Sequence, residues 1–397
     1  MEPVRPRIAF VMSHPIQHFC PQFVSLARSP LWEIRVFFAS NAGVKPYFDA
    51  SFGKEVLWTG LDLSFDHRFL NRGKDIQIDG AIDAPDLDAE LDAFDPDAVM
   101  VYGYGKKVNR RAYLWARRKH KAIIYQADSE LRHSRQVLRR ALKRLYLPSF
   151  FRHIDAFLTV GDANERYLEY YGADPSRFVR SSFPINVELF ALAFEHRHGL
   201  AERIRSRHEI AKDEVVLCVV GKLISIKAQE KLIEAISELG NSETKIALLV
   251  VGSGPEEARL QELSRTVQRH RIIFTGFINA DELPAYYACA DIYVHPSRVD
   301  AHSLAISEAM FMGCPLIISE SCGSWGATDD LRPGVNGLIY PTEDSHALVV
   351  AIKRVAGNRD LREWFGKNSR EIAVASQDVI HGTSLQSVLV NLGLLYR

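Results

Sequence analysis

This 397-residue chain lacks an excess of either charge: 49 Lys and Arg face 49 Asp and Glu. A protein whose whole surface binds a polyanion is therefore not expected, and only a local basic face remains open. No uninterrupted apolar run approaches about 18 residues, so no membrane-spanning helix is expected. The first apolar run, Ile8 to Met12, is too short for a signal peptide, and a cytoplasmic protein is the expectation. Paired cysteines are missing as well. Cys20, Cys218, Cys289, Cys314 and Cys322 show no metal-ligand spacing and mostly sit in apolar surroundings, so buried free thiols are expected rather than a disulfide framework.

What is present is enough apolar sequence, 47%, for two domains with a core each. An α/β rhythm starts early: strand Ile8 to Met12, loop Ser13 to Gln17, a helix from about His18 to Ser29, and strand Ile34 to Ala39. From Asn41 to Ala93 the pattern loosens, with Phe48, Phe52, Trp58, Phe65 and Phe69 among turn formers, and loops with short elements are expected at the mouth of the first domain. Strands follow at Ala98 to Tyr102, Ala122 to Gln126 and Ala156 to Val160, with helices over Val108 to Lys119 and Gly161 to Tyr171. Asp128 and Ser129 close the strand Ala122 to Gln126, where a side chain either meets a ligand or caps the next helix. The pattern breaks around Phe183 to Asn186, a charged helix is expected over about Phe194 to His208, and the domain boundary is placed here.

Between Arg132 and His153 the chain carries seven Lys or Arg and no acid. Val137, Leu138, Ala141, Leu142 and Leu145 recur at helical spacing, so a basic amphipathic helix is expected. Either its apolar side lies in the core, or the helix docks on anionic lipid head groups, with Arg110, Arg111, Arg117, Arg118, Lys119 and Lys121 extending the patch. Nucleic acid is not expected, since no aromatic interleaving or binding motif accompanies the charge.

The second α/β series holds the chemistry. The stretch Asp291 to Ser319 reads as strand Ile292 to His295, polar loop Pro296 to Ser303, helix Leu304 to Met312 and strand Pro315 to Ser319. Ligands bind at the carboxyl end of such a strand, and the amides of Ser303 and Leu304 at a helix start suit phosphate oxygens. Glu308, a turn further on, can accept two hydrogen bonds, as a ribose diol would donate. The loop after strand Val215 to Val220 offers Gly221, Lys222 and Lys227 to a diphosphate. After strand Lys245 to Val251, Gly252, Ser253 and Gly254 would let a flat ring approach the backbone. Asp281 is the expected N-cap of a helix reaching Ala290.

These motifs resemble the nucleotide-sugar-binding domain of retaining glycosyltransferases of family 4, the glycosyl transferases group 1 with the GT-B fold. The matching residues are Gly221, Lys222 and Lys227, the Gly252 to Pro255 turn, Phe274 to Gly276, Asp300 with Glu308, and Gly313 to Pro315, within about residues 213 to 375. The segments SHPIQHF and PYFDASFG are similar to a less characterised bacterial subgroup. The chain departs from the family pattern at four positions. Ala228 stands for the final Gly of the lysine loop and Asp300 for the first Glu of the acidic pair. Lys222 stands for Arg, which keeps the charge but loses the bidentate fork. Ala127 stands about where the family has His, a role His14 or Asp128 could cover.

The resemblance implies two Rossmann-like doubly wound domains facing across a cleft: residues 1–190 on the acceptor side, 191–380 on the donor side, and a C-terminal helix over 381–397 packing back on the first domain. It implies sugar transfer from a UDP- or GDP-sugar with retention, with Lys222, Lys227, Asp300, Asp128 and His14 at the chemistry. Gly221, Gly252, Gly254, Phe277, His302, Ser303, Leu304 and Glu308 are implied at the donor. No cofactor is expected. No metal is expected either, because the donor loops carry no Asp-x-Asp pair and the lysines can take the leaving charge. The expected acceptor is a glycan or a lipid-linked glycan, in polysaccharide, lipopolysaccharide or glycolipid assembly, and the expected location is cytoplasmic, with peripheral contact at the inner face of the plasma membrane open through the basic helix. The alternatives are a non-catalytic nucleotide-sugar-binding subunit and a nucleotide-sugar epimerase of the same fold.

Overall fold

The computed structural model describes residues 5–44, 47–49, 54–56, 61–71, 80–132, 137–240, 243–378 and 382–396. Side chains are described for the same residues except 47–49, 54–56, 137–139 and 378. Strand β1 (Arg7–Met12) shows why the first sheet needs cover on both faces. Ile8, Phe10 and Met12 enter one buried cluster, while the intervening Ala9 and Val11 enter another. A strand buried on both sides suits a parallel sheet between two helix layers. After helix α1 (Phe19–Ala27), β2 (Glu33–Phe38) pairs parallel with β1. A short antiparallel pair, β3 (Tyr47–Asp49) with β4 (Lys54–Val56), precedes β5 (His67–Phe69), helix α2 (Leu87–Phe94) and β6 (Ala98–Tyr102). Helix α3 (Lys107–Lys119), β7 (Ala122–Ala127), α4 (Val137–Phe151), β8 (Ala156–Thr159), α5 (Asp162–Tyr170) and β9 (Phe178–Arg180) complete the unit. The strand order is β5-β2-β1-β6-β7-β8-β9.

Helices α6 (Val187–Glu195) and α7 (Arg197–Arg207) lead into the second sheet. There follow β10 (Val215–Val220), α8 (Gln229–Leu239), β11 (Ile246–Val251), α9 (Glu257–Ser264), β12 (Arg271–Gly276) and α10 (Leu283–Cys289). Next come β13 (Ile292–His295), α11 (Leu304–Phe311), β14 (Leu316–Ser319), β15 (Gly337–Tyr340), α12 (Ser345–Ala356) and α13 (Arg359–Asp378). The order is β12-β11-β10-β13-β14-β15, with every pairing parallel. Helix α14 (Ser384–Asn391) returns to the first domain, where Leu385, Val388 and Leu389 join the cluster holding Ile8 and Phe10. All five cysteines are free and buried.

The structure refines several expectations from the sequence. The stretch 41–93, expected to hold loops and short elements, carries three-residue strands and the start of α2, and β5 within it pairs parallel with β2. Strand β5 is three residues long, too short to show a period. Phe52 and Trp58, the side chain of Phe48, and residues 46 and 50–53 of PYFDASFG lie outside the described residues. The charged helix expected over about 194–208 is present as α7, and a further helix, α6, precedes it: Asn186 caps α6 by accepting from the Leu189 amide at 3.1 Å, and His196 leaves helical geometry between the two. Asp281 caps nothing: α10 begins two residues later, after Glu282.

Of the two readings of the basic helix, the one that sends its apolar side into the core fails at the middle of the helix: Leu142 and Leu145 are 52% and 79% exposed, and Tyr146 is 47% exposed. Leu147 and Phe151 are the residues that anchor α4 in the core. Residues 133–136, the side chains of Val137 and Leu138, and that of Arg139 lie outside the described residues.

Candidate functional site

In the second sheet the strand order reverses between β10 and β13, so the loops after these two strands diverge and leave a crevice at their carboxyl ends. The first loop runs from Gly221 to Ala228 and the second from Pro296 to Ser303. Together with the carboxyl end of β7 they border a cleft of about 1520 Å³ between the domains. Ser129, Glu130, Lys143 and Tyr167 line it from the first domain, and Lys227, Arg298, Asp300 and Thr342 from the second.

Arg298 sets the shape of the first loop. It donates to the Ser225 carbonyl at 2.9 Å, and it pairs with Glu230 at 2.6 Å and with Glu343 at 3.1 Å. The short turn Ser225 to Lys227 thereby presents the Lys227 ammonium to Asp300 Oδ2 at 2.5 Å. His295, the last residue of β13, donates from Nε2 to the same oxygen at 2.7 Å, and its Nδ1 accepts from the Tyr293 hydroxyl at 3.2 Å. This network assigns a neutral ring, consistent with burial holding His295 below its ordinary value. Burial alone would raise the Asp300 carboxyl. The His295 hydrogen bond and the Lys227 charge outweigh that and hold it below the usual carboxylate range. Lys227 is therefore not the uncommitted ammonium that its place in the sequence implied, and Asp300 is a fixed anion with an 11% exposed side chain.

Glu308 lies one turn into α11. Its Oε2 accepts from the Tyr287 hydroxyl at 2.7 Å, and burial pushes its carboxyl up to about 7, with the hydrogen bond opposing. Glu308 is thus a half-buried, hydrogen-bonded carboxyl rather than a solvated helix residue. At the start of α11 the Ser303 amide donates to Ser324 Oγ at 3.0 Å, so it is not available to a phosphate as expected. The Leu304 amide has no acceptor among the described residues.

The glycines have a different reason from the one expected. A Cβ on Gly252 would collide with the Gly221 carbonyl, and one on Gly254 with the Leu223 backbone. The two loops lie on each other, and the Leu223 amide donates to the Ser253 carbonyl at 2.9 Å. Close approach of backbone to backbone requires glycine there. Gly221, at φ 151°, supplies the turn out of β10, and Lys222 follows it half-buried. Phe277 is half-buried directly after β12.

Across the cleft, Asp128 follows β7. It is open to solvent yet enclosed by both domains, and the desolvation raises its carboxyl; the nearby Asp300 charge adds to this and His302 opposes it. His14 stands at the carboxyl end of β1, its Nδ1 2.9 Å from Ser13 Oγ, which also accepts from Lys106 Nζ at 2.8 Å. His14 is not among the residues lining the cleft. His302 is buried below the cleft, 3.3 Å from Ser324 Oγ and 3.5 Å from Asp330. His302, Asp329 and Asp330 bring ligand atoms within 4.8 Å of one another and are of the types that hold divalent ions. Both oxygens of Asp329 already accept backbone amides, those of Asp162 and Asp330.

Sequence reasoning missed His295, Tyr287, Arg298, Glu130 and Lys143. His295 left a usable signal, a polar residue ending an apolar parallel strand at the switch point. Tyr287 and Lys143 left none, because their partners Glu308 and Tyr167 stand 21 and 24 residues away.

Two doubly wound domains facing across a cleft, with the binding crevice at the second sheet's switch point, define the GT-B fold of glycosyltransferases. The structure of Anabaena HepE in complex with UDP superposes with a TM-score of 0.72, covering 98% of this chain and 100% of that one at 17% identity. Within this class, residues 201–372 match the family model Glycosyl transferases group 1. Among curated relatives, an uncharacterized glycosyltransferase of Methanocaldococcus jannaschii is 30% identical over 174 residues, 43% of each chain. The GDP-mannose-dependent alpha-(1-6)-phosphatidylinositol monomannoside mannosyltransferase of Mycolicibacterium smegmatis is 33% identical over 159 residues, 38% of this chain and 40% of that one. The match thus spans about two fifths of the length of these relatives.

Proposed function

We propose that this protein transfers a sugar from a nucleotide diphosphate sugar to an acceptor bound on the first domain, with retention of anomeric configuration and without a metal ion. The observation that carries this reading is the convergence, at the switch point of the second sheet, of the Lys227–Asp300–His295 network with the start of α11 and Glu308. As the donor's glycosidic bond breaks, negative charge grows on the departing β-phosphate, and groups fixed in advance around that oxygen lower the barrier most. Lys227 and the Leu304 amide offset that negative charge, with Lys222 beside the same loop. Asp300 and His295 hold the Lys227 ammonium in place before substrate arrives. Glu308 receives the ribose hydroxyls, and Gly221, Gly252 and Gly254 shape the loops that carry these groups. Asp128, raised by desolvation, orients the acceptor hydroxyl, whose proton leaves with the phosphate.

The relatives named for phosphatidylinositol mannosides support a lipid-linked acceptor and a GDP-sugar, whereas the UDP-bound HepE neighbour supports a UDP-sugar. Among the described residues no helix is long and apolar enough to cross a membrane. The exposed Leu142, Leu145 and Tyr146, flanked by Arg140 and Arg144, support peripheral contact with an anionic bilayer near the cleft, and Lys143 of the same helix lines that cleft.

The direct test is Lys227→Ala assayed with UDP- and GDP-sugars and an acceptor panel. Turnover is expected to fall by about two orders of magnitude, the scale of removing a preorganised charge. Unchanged turnover would remove Lys227 from the phosphate site, and donor binding without transfer or hydrolysis in the wild type would point to a binding subunit.

A further inference from the structure

On the side of the second domain formed by α6, α7 and α13 lies a separate cavity of about 790 Å³. Its acids are all engaged. Asp291 pairs with Arg205 at 3.1 Å, Glu363 with Arg359 at 2.7 Å, and Glu371 with Lys367 at 3.8 Å. Three further guanidiniums around the cavity, Arg197, Arg362 and Arg370, have no carboxylate partner among the described residues. Each is held by neutral groups instead. The Arg370 guanidinium lies 4.1 Å from the Phe194 ring centroid and 3.8 Å from that of Phe311, and donates to the Phe311 carbonyl at 2.6 Å. Arg197 lies over the same Phe194 ring at 4.4 Å, and Arg362 donates to the Val355 and Ala356 carbonyls. Desolvation and the neighbouring Arg197 charge both depress the Arg370 guanidinium.

The lining carries Arg197, Arg359, Arg362, Lys367 and Arg370 against Asp291, Glu363 and Glu371, and this excess of cations is one that a bound anion reduces. The forked donors of guanidinium match the oxygens of phosphate, and the aromatic faces keep Arg370 from reorienting. We infer that this cavity is a second anion site, distinct from the donor cleft, that binds the phosphate group of a soluble phosphorylated metabolite between Arg197 and Arg370. The two arginines belong to the two segments that join the domains. Arg197 opens α7 just after α6, and Arg370 lies in α13, where Gln377 accepts from the Ile185 amide at 3.1 Å. An anion bridging them ties these segments together and stiffens the connection between the domains.

The test is hydrogen–deuterium exchange and calorimetry on the full chain with inorganic pyrophosphate, comparing wild type, Arg197→Gln, Arg197→Lys and Lys227→Ala. Protection of the peptides around 190–200 and 366–373 is expected in wild type and in Lys227→Ala. Arg197→Gln should weaken the corresponding affinity roughly tenfold or more, the scale of one charge-assisted hydrogen bond, with partial recovery in Arg197→Lys. Equal protection in Arg197→Gln, or protection confined to the cleft loops 221–228 and 300–308, would overturn the site. So would protection seen only with vesicles bearing phosphomonoester lipids, which would move the ligand from solution to the membrane.

Discussion

Glu308 carries the sharpest consequence at the level of a single residue. Its carboxyl titrates at about 7 in the folded chain against an ordinary value of 4.5, so the folded form holds the proton that the unfolded form has lost. The stabilising contribution of the protonated form is complete below the unfolded value and is lost as the pH rises through about 7. A ribose diol needs the ionised form, so donor binding runs the other way and tightens over the same range. Titrated between about pH 6 and 8, donor affinity is expected to rise by up to about tenfold. Glu308→Gln should flatten that profile and should also reduce the fall in melting temperature over the same interval. A wild-type donor affinity constant across this range would exclude Glu308 from the ribose site. The Lys227–Asp300 pair shows the opposite case: a cation and a hydrogen bond overcome burial, and the acid stays ionised. Two carboxylates eight residues apart on one loop–helix unit are thus set to different states by their surroundings.

At the level of elements, the lysine loop ends in a left-handed residue that is not glycine. Ala228 sits at φ 52° and is fully buried, at the position where the resembling family has glycine. An L side chain in that region costs about 1–2 kcal/mol, while losing the buried methyl costs about 0.8 kcal/mol and the added freedom of glycine in the unfolded chain about 0.4–1 kcal/mol. Ala228→Gly is therefore expected to change stability by less than about 1 kcal/mol in denaturant titration, unlike the larger loss that an unstrained buried alanine would show. Helix α4 makes a second prediction. Its exposed Leu145 stands among cations, and Leu145→Glu removes both apolar contact and net positive charge. Flotation with anionic vesicles is expected to fall about tenfold or more for this variant, with soluble-acceptor turnover unchanged. Equal flotation would exclude α4 as the contact. The apolar spacing along α4 was visible in the sequence, but which side faces the core was not. Leu147 and Phe151 take the buried side because the first-domain cluster that receives them is built from distant strands and helices.

Across the whole molecule, the two domains meet through a reciprocal clasp. The Asp162 carboxylate at the start of α5 accepts from the Thr328 hydroxyl at 2.6 Å and from its amide at 3.1 Å. The Asp329 carboxylate returns the contact by accepting from the Asp162 amide at 2.7 Å. Arg180 pairs with Asp162 at 2.7 Å and reaches the Thr328 hydroxyl at 3.3 Å. A Cβ on Gly161 or Gly326 would strike these carboxylates, so the backbones must come close for the clasp to form. Arg132 adds a further link, donating to the Glu320 and Cys322 carbonyls at 2.8 Å while lying over Trp325. Asp162→Ala is expected to open the cleft, read as a larger radius of gyration in solution scattering, and to lower turnover about tenfold. Two charge-assisted hydrogen bonds at roughly 1.5–3 kcal/mol each favour the closed arrangement. Unchanged scattering would show that the clasp does not set the domain angle.

The strand, loop, helix and strand from Asp291 to Ser319 was readable from the chain alone, because its apolar runs are short, its helix starts after a polar loop, and Gly313 ends it locally. The same holds for the parallel α/β rhythm of both domains. Those features are set by neighbours within a few residues. What each group then does depended on partners far away in sequence. Asp300 reaches Lys227 across 73 residues, Glu308 meets Tyr287 across 21, and Asp162 meets Thr328 across 166. Periodicity carries no record of such pairings, and desolvation, which raises Glu308 and is outweighed at Asp300, exists only once the chain has folded around the groups.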